Sequence, residues 1–414
     1  MKKKHINNID DLVQNAVFGN KSDKNNSVET IKKLAKEKGV IPSSMYRYYT
    51  LFANGKLNGF TVPAINIRTL TYDIARSIFR AAKRTETGFF IFEIARLETR
   101  YTSQSPEEYS VCVLAAAIRE KYSGQVFLQG DHFQFSRKDY FESPDKEKKE
   151  IKNLIKSAVD AQIYNIDIDA STLVDIDKKS IREQQRDNFV VTAEMTQYIR
   201  SIQPAGITVT IGGEIGEIGS QNSTPDELIS FMDGYNEQLD KKMTGLSKLS
   251  IQTGTTHGGT VLPDGNISEV DIDFETIKTL SLIARDKYRM AGVVQHGAST
   301  LPEKIFYKFP QADCLEIHLA TGFQNQFFDS KYLPKDLRDE MYRYATENYK
   351  PERKKYATDE QFIYKTRKYA LGPFKKSIWG LPEKIRAGIA EEIEEKIIGI
   401  FKMFRVNGTL RIIS

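Results

Sequence analysis

The chain is poor in the residues that build covalent cross-links. Its 414 residues include only two cysteines, Cys112 and Cys314, which lie far apart and each within an apolar run. This spacing excludes a disulfide framework of the kind that stabilises small secreted proteins. It favours a reducing compartment, and we expect the cytoplasm.

Long apolar segments are also missing. No run approaches the roughly 20 apolar residues that a membrane-spanning helix needs. The basic start Met1-Lys-Lys-Lys is followed by polar Asn7 and Asn8 rather than by the apolar centre of a signal peptide. We therefore predict a protein with no membrane partner.

A dominant charge of either sign is absent too. The chain has 60 Lys and Arg against 55 Asp and Glu, and the formal net charge of +5 is spread along its length. The densest basic stretches, residues 146–149 and 353–355, are interleaved with glutamate or very short. They indicate solvated surface rather than a nucleic-acid interface.

The chain does have a regular alternation of short apolar runs with longer amphipathic segments. Eight near-continuous apolar runs, typical of strands buried on both faces, cover residues 61–67, 88–95, 125–132, 163–171, 207–216, 248–258, 291–298 and 314–322. Helical patterns fill the gaps between them. Eight strands that alternate with helices are the repeat of an α/β fold, the (β/α)8 TIM barrel. We place this barrel at residues 61–330.

Helical extensions flank the predicted barrel, at residues 1–60 and 331–414. In the first, Asn26 with Glu29 predicts a helix start and Gly39 predicts its end. In the second, residues 382–404 carry isoleucines along one helical stripe, which demands an apolar partner. That partner is either the barrel's own helices or another subunit. Because symmetric dimers are the commonest oligomers, we predict a homodimer.

Histidine is scarce, and its placement is the most informative feature of the sequence. Of five histidines, only His5 lies in a polar tail, whereas His132, His257, His296 and His318 lie at the ends of predicted strands. Active sites of TIM barrels lie at the C-terminal strand ends, and imidazole is the commonest metal ligand. Any one of these histidines alone could be a core residue. Four in the same context predict one site.

Carboxylates accompany these histidines. Asp131 precedes His132 where the chain turns after Gly130, and Glu214 lies in a glycine-rich strand end. Three imidazoles and a carboxylate suit a divalent cation, most simply zinc. Asp167 and Asp169 alternate along one strand face, where buried carboxylates must be paired or lie near a cation.

Small residues follow the later strand ends. Their backbone N–H groups and hydroxyls could bind a phosphate, which is a common use of the last loops of this fold. They are Gly258-Gly259, Gly297-Ala298-Ser299 and Thr321-Gly322. Glycines that serve only tight turns are the alternative interpretation.

Six segments resemble, in order, the motifs of class II, metal-dependent fructose- and tagatose-bisphosphate aldolases. They are Val62-Pro-Ala-Ile-Asn66, Gly130-Asp-His132, Ile168-Asp-Ala-Ser171, Glu214-Ile-Gly216, Thr256-His-Gly258 and His296-Gly-Ala-Ser299. The resemblance implies metal ligation by His132, His257 and His296, with Glu214 as an alternate ligand and Asp131 as the acid/base. The implied phosphate contacts are Gly258, Gly297 and Ser299. We also expect Asn66, Thr321 and His318 to contact the substrate or its phosphate.

The activity that this resemblance implies is reversible aldol cleavage of a phosphorylated ketose. The metal would act as a Lewis acid on the ketone and stabilise an enediolate. A metal-dependent sugar-phosphate isomerase or epimerase could use the same enediolate. A non-catalytic companion subunit of an aldolase is the remaining alternative, although such a subunit has no need of all three histidines.

The chain also departs from the family pattern. His318 stands where the family has the asparagine that stabilises the carbanion, and Ala320 replaces a phosphate-side aspartate. Ala95 stands where a serine is expected, and residues 220–224 replace a mobile loop that carries a catalytic glutamate in some members. These differences leave the identity of the sugar open.

Overall fold

Strands and helices alternate along the chain in the predicted order. The computed structural model describes residues 8–215, 221–254, 262, 272–298 and 301–413. Its strands are β1 (Val40–Ser43), β2 (Val62–Asn66), β3 (Ile91–Ala95), β4 (Gly124–Gln134), β5 (Asn165–Asp169), β6 (Thr210–Glu214), β7 (Lys248–Ile251), β8 (Val293–Gln295) and β9 (Glu316–Leu319).

The α-helices of the described residues lie between and beyond these strands. They are α1 (Ile9–Phe18), α2 (Lys21–Glu37), α3 (Tyr46–Ala53), α4 (Thr71–Thr85), α5 (Arg96–Tyr101), α6 (Pro106–Arg119), α7 (Arg137–Glu142), α8 (Pro144–Asp160), α9 (Ile181–Gln184), α10 (Arg186–Ile202), α11 (Pro225–Gln238), α12 (Phe274–Tyr288), α13 (Lys308–Gln311), α14 (Thr321–Asp329), α15 (Lys335–Asn348), α16 (Asp359–Thr366), α17 (Lys375–Trp379), α18 (Glu383–Met403) and α19 (Leu410–Ile413). None of them is long and apolar enough to cross a bilayer.

Strands β2 to β9 close into a parallel barrel. The sheet order is β1-β4-β3-β2-β9-β8-β7-β6-β5. Because β4 also pairs with β5, the eight strands from β4 to β5 in this order form a closed ring, and β1 is added to it outside the ring. Each of the eight predicted apolar runs coincides with one barrel strand, in whole or in large part. The prediction of a (β/α)8 barrel is therefore confirmed. The strands are almost wholly buried because helices cover them outside and side chains fill the barrel inside.

The N-terminal segment contains a ninth strand, although the sequence pattern predicts only helices there. β1 runs parallel to the start of β4, with Val40 opposite Gly124. Helix α3 then crosses the end of the barrel where the strands begin. Its flanking Met45 N–H donates to Asn165 Oδ1 at 2.8 Å. The segment thus closes the end of the barrel opposite to the predicted site.

Helix α2 begins six residues before the predicted start. The side chain of Asn20 accepts hydrogen bonds from the N–H groups of Ser22 and Asp23 at 3.0 and 3.1 Å, so Asn20 rather than Asn26 is the N-cap. The predicted end is near the observed one, since Gly39 has a φ of +71°, which favours glycine just beyond a helix.

The long C-terminal helix α18 packs on α4, a helix of the barrel's own outer ring. Within its isoleucine stripe, Ile389, Ile393 and Ile397 are fully buried within the chain. Ion pairs flank the contact: Arg80 Nε lies 2.7 Å from Glu394, and Arg386 Nη1 lies 2.7 Å from Asp73. Of the two predicted partners for the stripe, the barrel's own helices are the one observed.

Candidate active site

The C-terminal ends of the barrel strands bring most of the predicted residues to one end of the barrel. Asp131 and His132 lie in β4, Glu214 ends β6, His296 follows β8, and His318 lies in β9. Asn66 ends β2, Gly297 follows His296, and Thr321 begins α14. The predicted ligand His257 and the predicted phosphate contacts Gly258 and Ser299 lie outside the described residues.

An irregularity in β4 turns two consecutive side chains towards the same cavity. The pairing of β4 with β5 shifts register between Gly130 and Phe133, and His132 has a φ of +40°. In a regular strand, Asp131 and His132 would point to opposite faces. A side chain at position 130 is also excluded, because a Cβ there would lie 2.4 Å from the ring of Phe133. The local sequence therefore places a carboxylate and an imidazole side by side.

Two carboxylates orient the imidazole of His132. Its Nδ1 lies 2.8 Å from Asp169 Oδ2 and 3.1 Å from Glu214 Oε2. Asp169 is itself fixed by the hydroxyl of Ser171 at 2.7 Å and the amide of Gln134 at 2.6 Å. Hydrogen bonding of one ring nitrogen to a carboxylate is the usual support of a metal-binding histidine.

His132, His296 and Asp131 offer a donor set for a divalent cation. Their candidate ligand atoms all lie within 4.8 Å of one another, and the ring centroids of the two histidines are 4.1 Å apart. Imidazole nitrogens and a carboxylate oxygen suit zinc and similar borderline ions. Glu214, 3.1 Å from His132 Nδ1, belongs to a second group of close donors with His132 and Asp169. Burial and the charge of Asp169 raise the pKa of Glu214 to about 7.

His318 lies beside this set and hydrogen-bonds Asp131. Its Nδ1 is 3.0 Å from Asp131 Oδ1 and 3.2 Å from Glu93 Oε2, and its Nε2 is 2.6 Å from Glu316 Oε1. Burial alone lowers the pKa of His318, but the charges of Glu93 and Asp131 outweigh it and raise that pKa well above its usual value. This shift favours the protonated form of His318 beside the predicted acid/base.

Asp131 lies beside two imidazoles. Burial alone raises the pKa of Asp131, but the charges that His132 and His318 carry when protonated lower it well below the usual range. A carboxylate in this position can exchange a proton with a substrate hydroxyl.

A buried charge network inside the barrel supports these groups. Lys248 Nζ lies 2.9 Å from Asp167 Oδ2, 2.5 Å from Glu316 Oε1 and 2.8 Å from Gln129 Oε1. The hydroxyl of Tyr49 donates to the other oxygen of Glu316. The expectation that the strand carboxylates are paired thus holds for Asp167. The roles of Glu316 and Lys248 were not predicted, although a lone charge inside an apolar run is the signal that marks such residues.

The side chains at the strand ends line a cavity of about 670 Å³. The C-terminal segment forms the other side of this cavity. Asp131, His132, His296 and His318 border it at the strand ends. The residues that the C-terminal segment contributes are Tyr349, Tyr364, Lys365, Lys368 and Tyr369. Of the predicted substrate contacts, Thr321 and Gly297 border the cavity. Asn66 is buried beneath it and donates to Glu98 at 2.6 Å.

A model of the family described as "Fructose-bisphosphate aldolase class-II" matches residues 46–384, which is most of the chain and includes all eight barrel strands. The chain belongs to this family. Class II aldolases depend on a divalent metal and act on phosphorylated sugars, and the donor set around His132 fits such an ion. No curated protein matches the chain.

Solved structures similar to this class II aldolase family member are distant in sequence. The fructose-bisphosphate aldolase of Campylobacter jejuni is 16% identical, with 89% of this chain and 96% of that chain covered and a TM-score of 0.51. The fructuronate-tagaturonate epimerase of Cohnella laeviribosi is 12% identical, with 84% and 82% covered and a TM-score of 0.57. At these identities the likeness shows the shared fold alone.

Proposed function

We propose that this chain is a lyase that cleaves and forms a carbon–carbon bond in a phosphorylated ketose. The observation that carries the proposal is the convergence of Asp131, His132 and His296 at the strand ends, with candidate ligand atoms within 4.8 Å of one another. Metal ligands and a carboxylate in one cavity are the groups that a metal-dependent aldol reaction requires.

We infer that His132, His257 and His296 hold a divalent cation, most simply zinc, and that Glu214 can take the place of a ligand. The hydrogen bond from His132 to Asp169 supports this role, because it fixes the orientation of the ring. When bound, such a cation acts as a Lewis acid on the ketone oxygen of the substrate.

Asp131 is the proposed acid/base. In the cleavage direction, it accepts the proton of the hydroxyl on one of the two carbons whose bond breaks. The O–H electron pair forms the new carbonyl, and the electrons of the broken bond pass to the other carbon fragment. That fragment takes up a proton from solvent and leaves as a triose phosphate. In the reverse direction Asp131 returns the proton. The contact of His318 Nδ1 with Asp131 at 3.0 Å orients this carboxylate.

The remaining predicted residues would hold the substrate. We propose that the backbone and hydroxyl groups of Gly258, Gly297, Ser299 and Thr321 bind its phosphate. His318 is close enough to Asp131 to contact the reacting carbons, and Asn66 acts through Glu98. We further propose that the protein is a homodimer.

A screen of ketose mono- and bisphosphates for released triose phosphate tests the proposed activity. We expect the wild type to release triose phosphate and Asp131→Ala to lose this activity by at least about 100-fold, the usual scale for a general acid/base. Asp139→Ala removes an exposed carboxylate from the following helix and is the matched control. Cleavage unaffected by Asp131→Ala contradicts the proposed role. Isomerised or epimerised sugar without triose phosphate identifies the alternative enzyme class.

A further inference from the structure

Another group of close donors lies beside the proposed zinc site. It consists of Glu93 in β3, Asp131 in β4 and His318 in β9, and one candidate ligand atom of each lies within 4.8 Å of the others. We call these three residues the inner donor group. All three are more than nine-tenths buried, yet they border the strand-end cavity, through which an ion can reach them. Glu93 and His318 take no part in the proposed zinc site.

The ring of His318 is oriented as a ligand of this group. Its Nε2 lies 2.6 Å from Glu316 Oε1, whereas its Nδ1 lies 3.0 Å from Asp131 Oδ1 and 3.2 Å from Glu93 Oε2. A metal-binding histidine commonly donates one ring N–H to a carboxylate and coordinates through the other nitrogen. Glu316 therefore fixes the ring so that Nδ1 is the atom available to a cation.

The spacing of the donor atoms suits a metal ion. Neighbouring ligands of an octahedral ion with bonds of about 2.1 Å lie about 3.0 Å apart. The two distances from His318 Nδ1 to carboxylate oxygens are close to this value. A proton on Nδ1 can be donated well to only one of these carboxylates at a time, whereas a cation between the three atoms would contact both.

Negative charge exceeds positive charge around His318. Four carboxylates each have an oxygen within 4 Å of its ring nitrogens, namely Glu93, Asp131, Asp167 and Glu316. Lys248 contacts the last two. Glu93 forms no ion pair with a lysine or an arginine in the described part of the chain, and its buried Oε1 has no hydrogen-bond partner there. A buried carboxylate of this kind costs free energy, which a nearby cation offsets.

Asp131 connects the inner donor group to the proposed zinc site. It also belongs to the donor set of His132 and His296, and the ring centroids of His296 and His318 are 4.2 Å apart. Two-metal sites hold their ions about 3.5–4 Å apart, a distance that one shared carboxylate can span. The contacts of Asp131 with His132 and His318 both use Oδ1, which leaves Oδ2 for the proposed proton exchange.

We propose that Glu93, Asp131 and His318 bind a second divalent cation, Mn²⁺ or an ion of similar hardness, beside the zinc ion. Two carboxylates and one imidazole form a harder donor set than the three imidazoles assigned to zinc, and carboxylate oxygens suit Mn²⁺. The inference depends on the inner donor group and not on the reaction proposed above.

Titration of Mn²⁺ into protein loaded with one equivalent of zinc tests the proposal. Electron paramagnetic resonance measures free Mn²⁺, and elemental analysis of the dialysed complex measures both metals. We expect the wild type to bind one Mn²⁺ per chain. Glu93→Gln and His318→Asn should each bind Mn²⁺ at least about tenfold more weakly, because even the loss of a residue that only supports a ligand costs about 10- to 100-fold in metal affinity. Glu340→Gln removes an exposed carboxylate and is the matched control, with wild-type affinity expected.

The zinc content distinguishes a lost Mn²⁺ ligand from a damaged cavity. Weaker Mn²⁺ binding with one zinc per chain retained supports the proposal. Wild type that binds no Mn²⁺, affinities unchanged in both variants, or zinc lost together with Mn²⁺ from both variants overturns it. Release of triose phosphate is measured separately, without added Mn²⁺. The proposed function can therefore stand while this inference fails, and the reverse also holds.

Discussion

Replacement of Lys248 by methionine tests the buried charge network most directly. Lys248 is fully buried and lies within 3 Å of carboxylate oxygens of both Asp167 and Glu316. Lys248→Met keeps the length of the side chain but leaves two buried carboxylates without their cation. Loss of one partner of a buried ion pair costs about 3–5 kcal/mol of folding free energy.

That free energy corresponds to a measurable change in the thermal midpoint. The entropy of unfolding is about 2.1 cal/mol/K per residue, or roughly 0.9 kcal/mol/K for 414 residues. A cost of about 3–5 kcal/mol therefore lowers the midpoint by about 3–6 °C, which scanning calorimetry resolves. The matched control is Lys287→Met, because Lys287 lies 3.3 Å from Asp233 in an exposed pair. We expect the control to leave the midpoint unchanged.

The dependence on pH separates lost charge pairing from lost packing. Burial raises the pKa of Asp167 to about 6 even with Lys248 present, and removal of the lysine raises it further. The penalty in Lys248→Met is therefore larger at pH 8, where wild-type Asp167 is charged, than at pH 5, where folded Asp167 takes up a proton. A midpoint difference from wild type that is below 1 °C at pH 8, or that is as large at pH 5 as at pH 8, refutes this reasoning.

Three further predictions concern the metal site, the closed end of the barrel and the C-terminal helix. We expect His296→Ala to lower the zinc content of protein purified without chelator to less than a tenth of the wild-type value. Elemental analysis measures this content, and an unchanged value contradicts the ligand assignment. Tyr49→Phe removes a hydrogen bond to the buried Glu316 and should destabilise the fold by about 1–3 kcal/mol in urea denaturation; an unchanged urea midpoint would show that this bond contributes nothing. Ile393→Ala deletes a fully buried side chain of α18 and should cost about 2–5 kcal/mol, whereas the half-exposed Leu282→Ala should change stability little. Equal effects of the two substitutions would argue against close packing of α18 on the barrel.

The eight barrel strands could be predicted because parallel strands buried on both faces leave continuous apolar runs in the sequence. The position of the site followed from the same pattern, since His132, His296 and His318 come at or near the ends of such runs. Strand β1 could not be predicted in this way. It is only four residues long and pairs with β4 more than 80 residues away.

The buried network could be predicted only in part. Asp167 and Asp169 share a strand face, which predicts that both need partners. The identity of those partners could not be read from the sequence, because Lys248 lies 81 residues after Asp167 and meets it only when the barrel has closed. Glu316 is likewise reached by Tyr49 from the opposite end of the chain. Local patterns show that a charge is buried, but not which distant residue compensates it.

The closing contacts of the barrel also determine when the protein can fold during translation. The N–H of Val62 donates to the carbonyl of Leu315 at 2.9 Å, and the N–H of Thr61 donates to the carbonyl of Phe404 at 3.0 Å. The first barrel strand therefore leaves the ribosome long before the strand and the C-terminal residues that complete its hydrogen bonds. Until β9 has left the ribosome, the nascent chain carries an open sheet edge that can pair with other chains. Truncated or stalled nascent chains should for this reason depend on chaperones, whereas the released full-length chain closes its own edge.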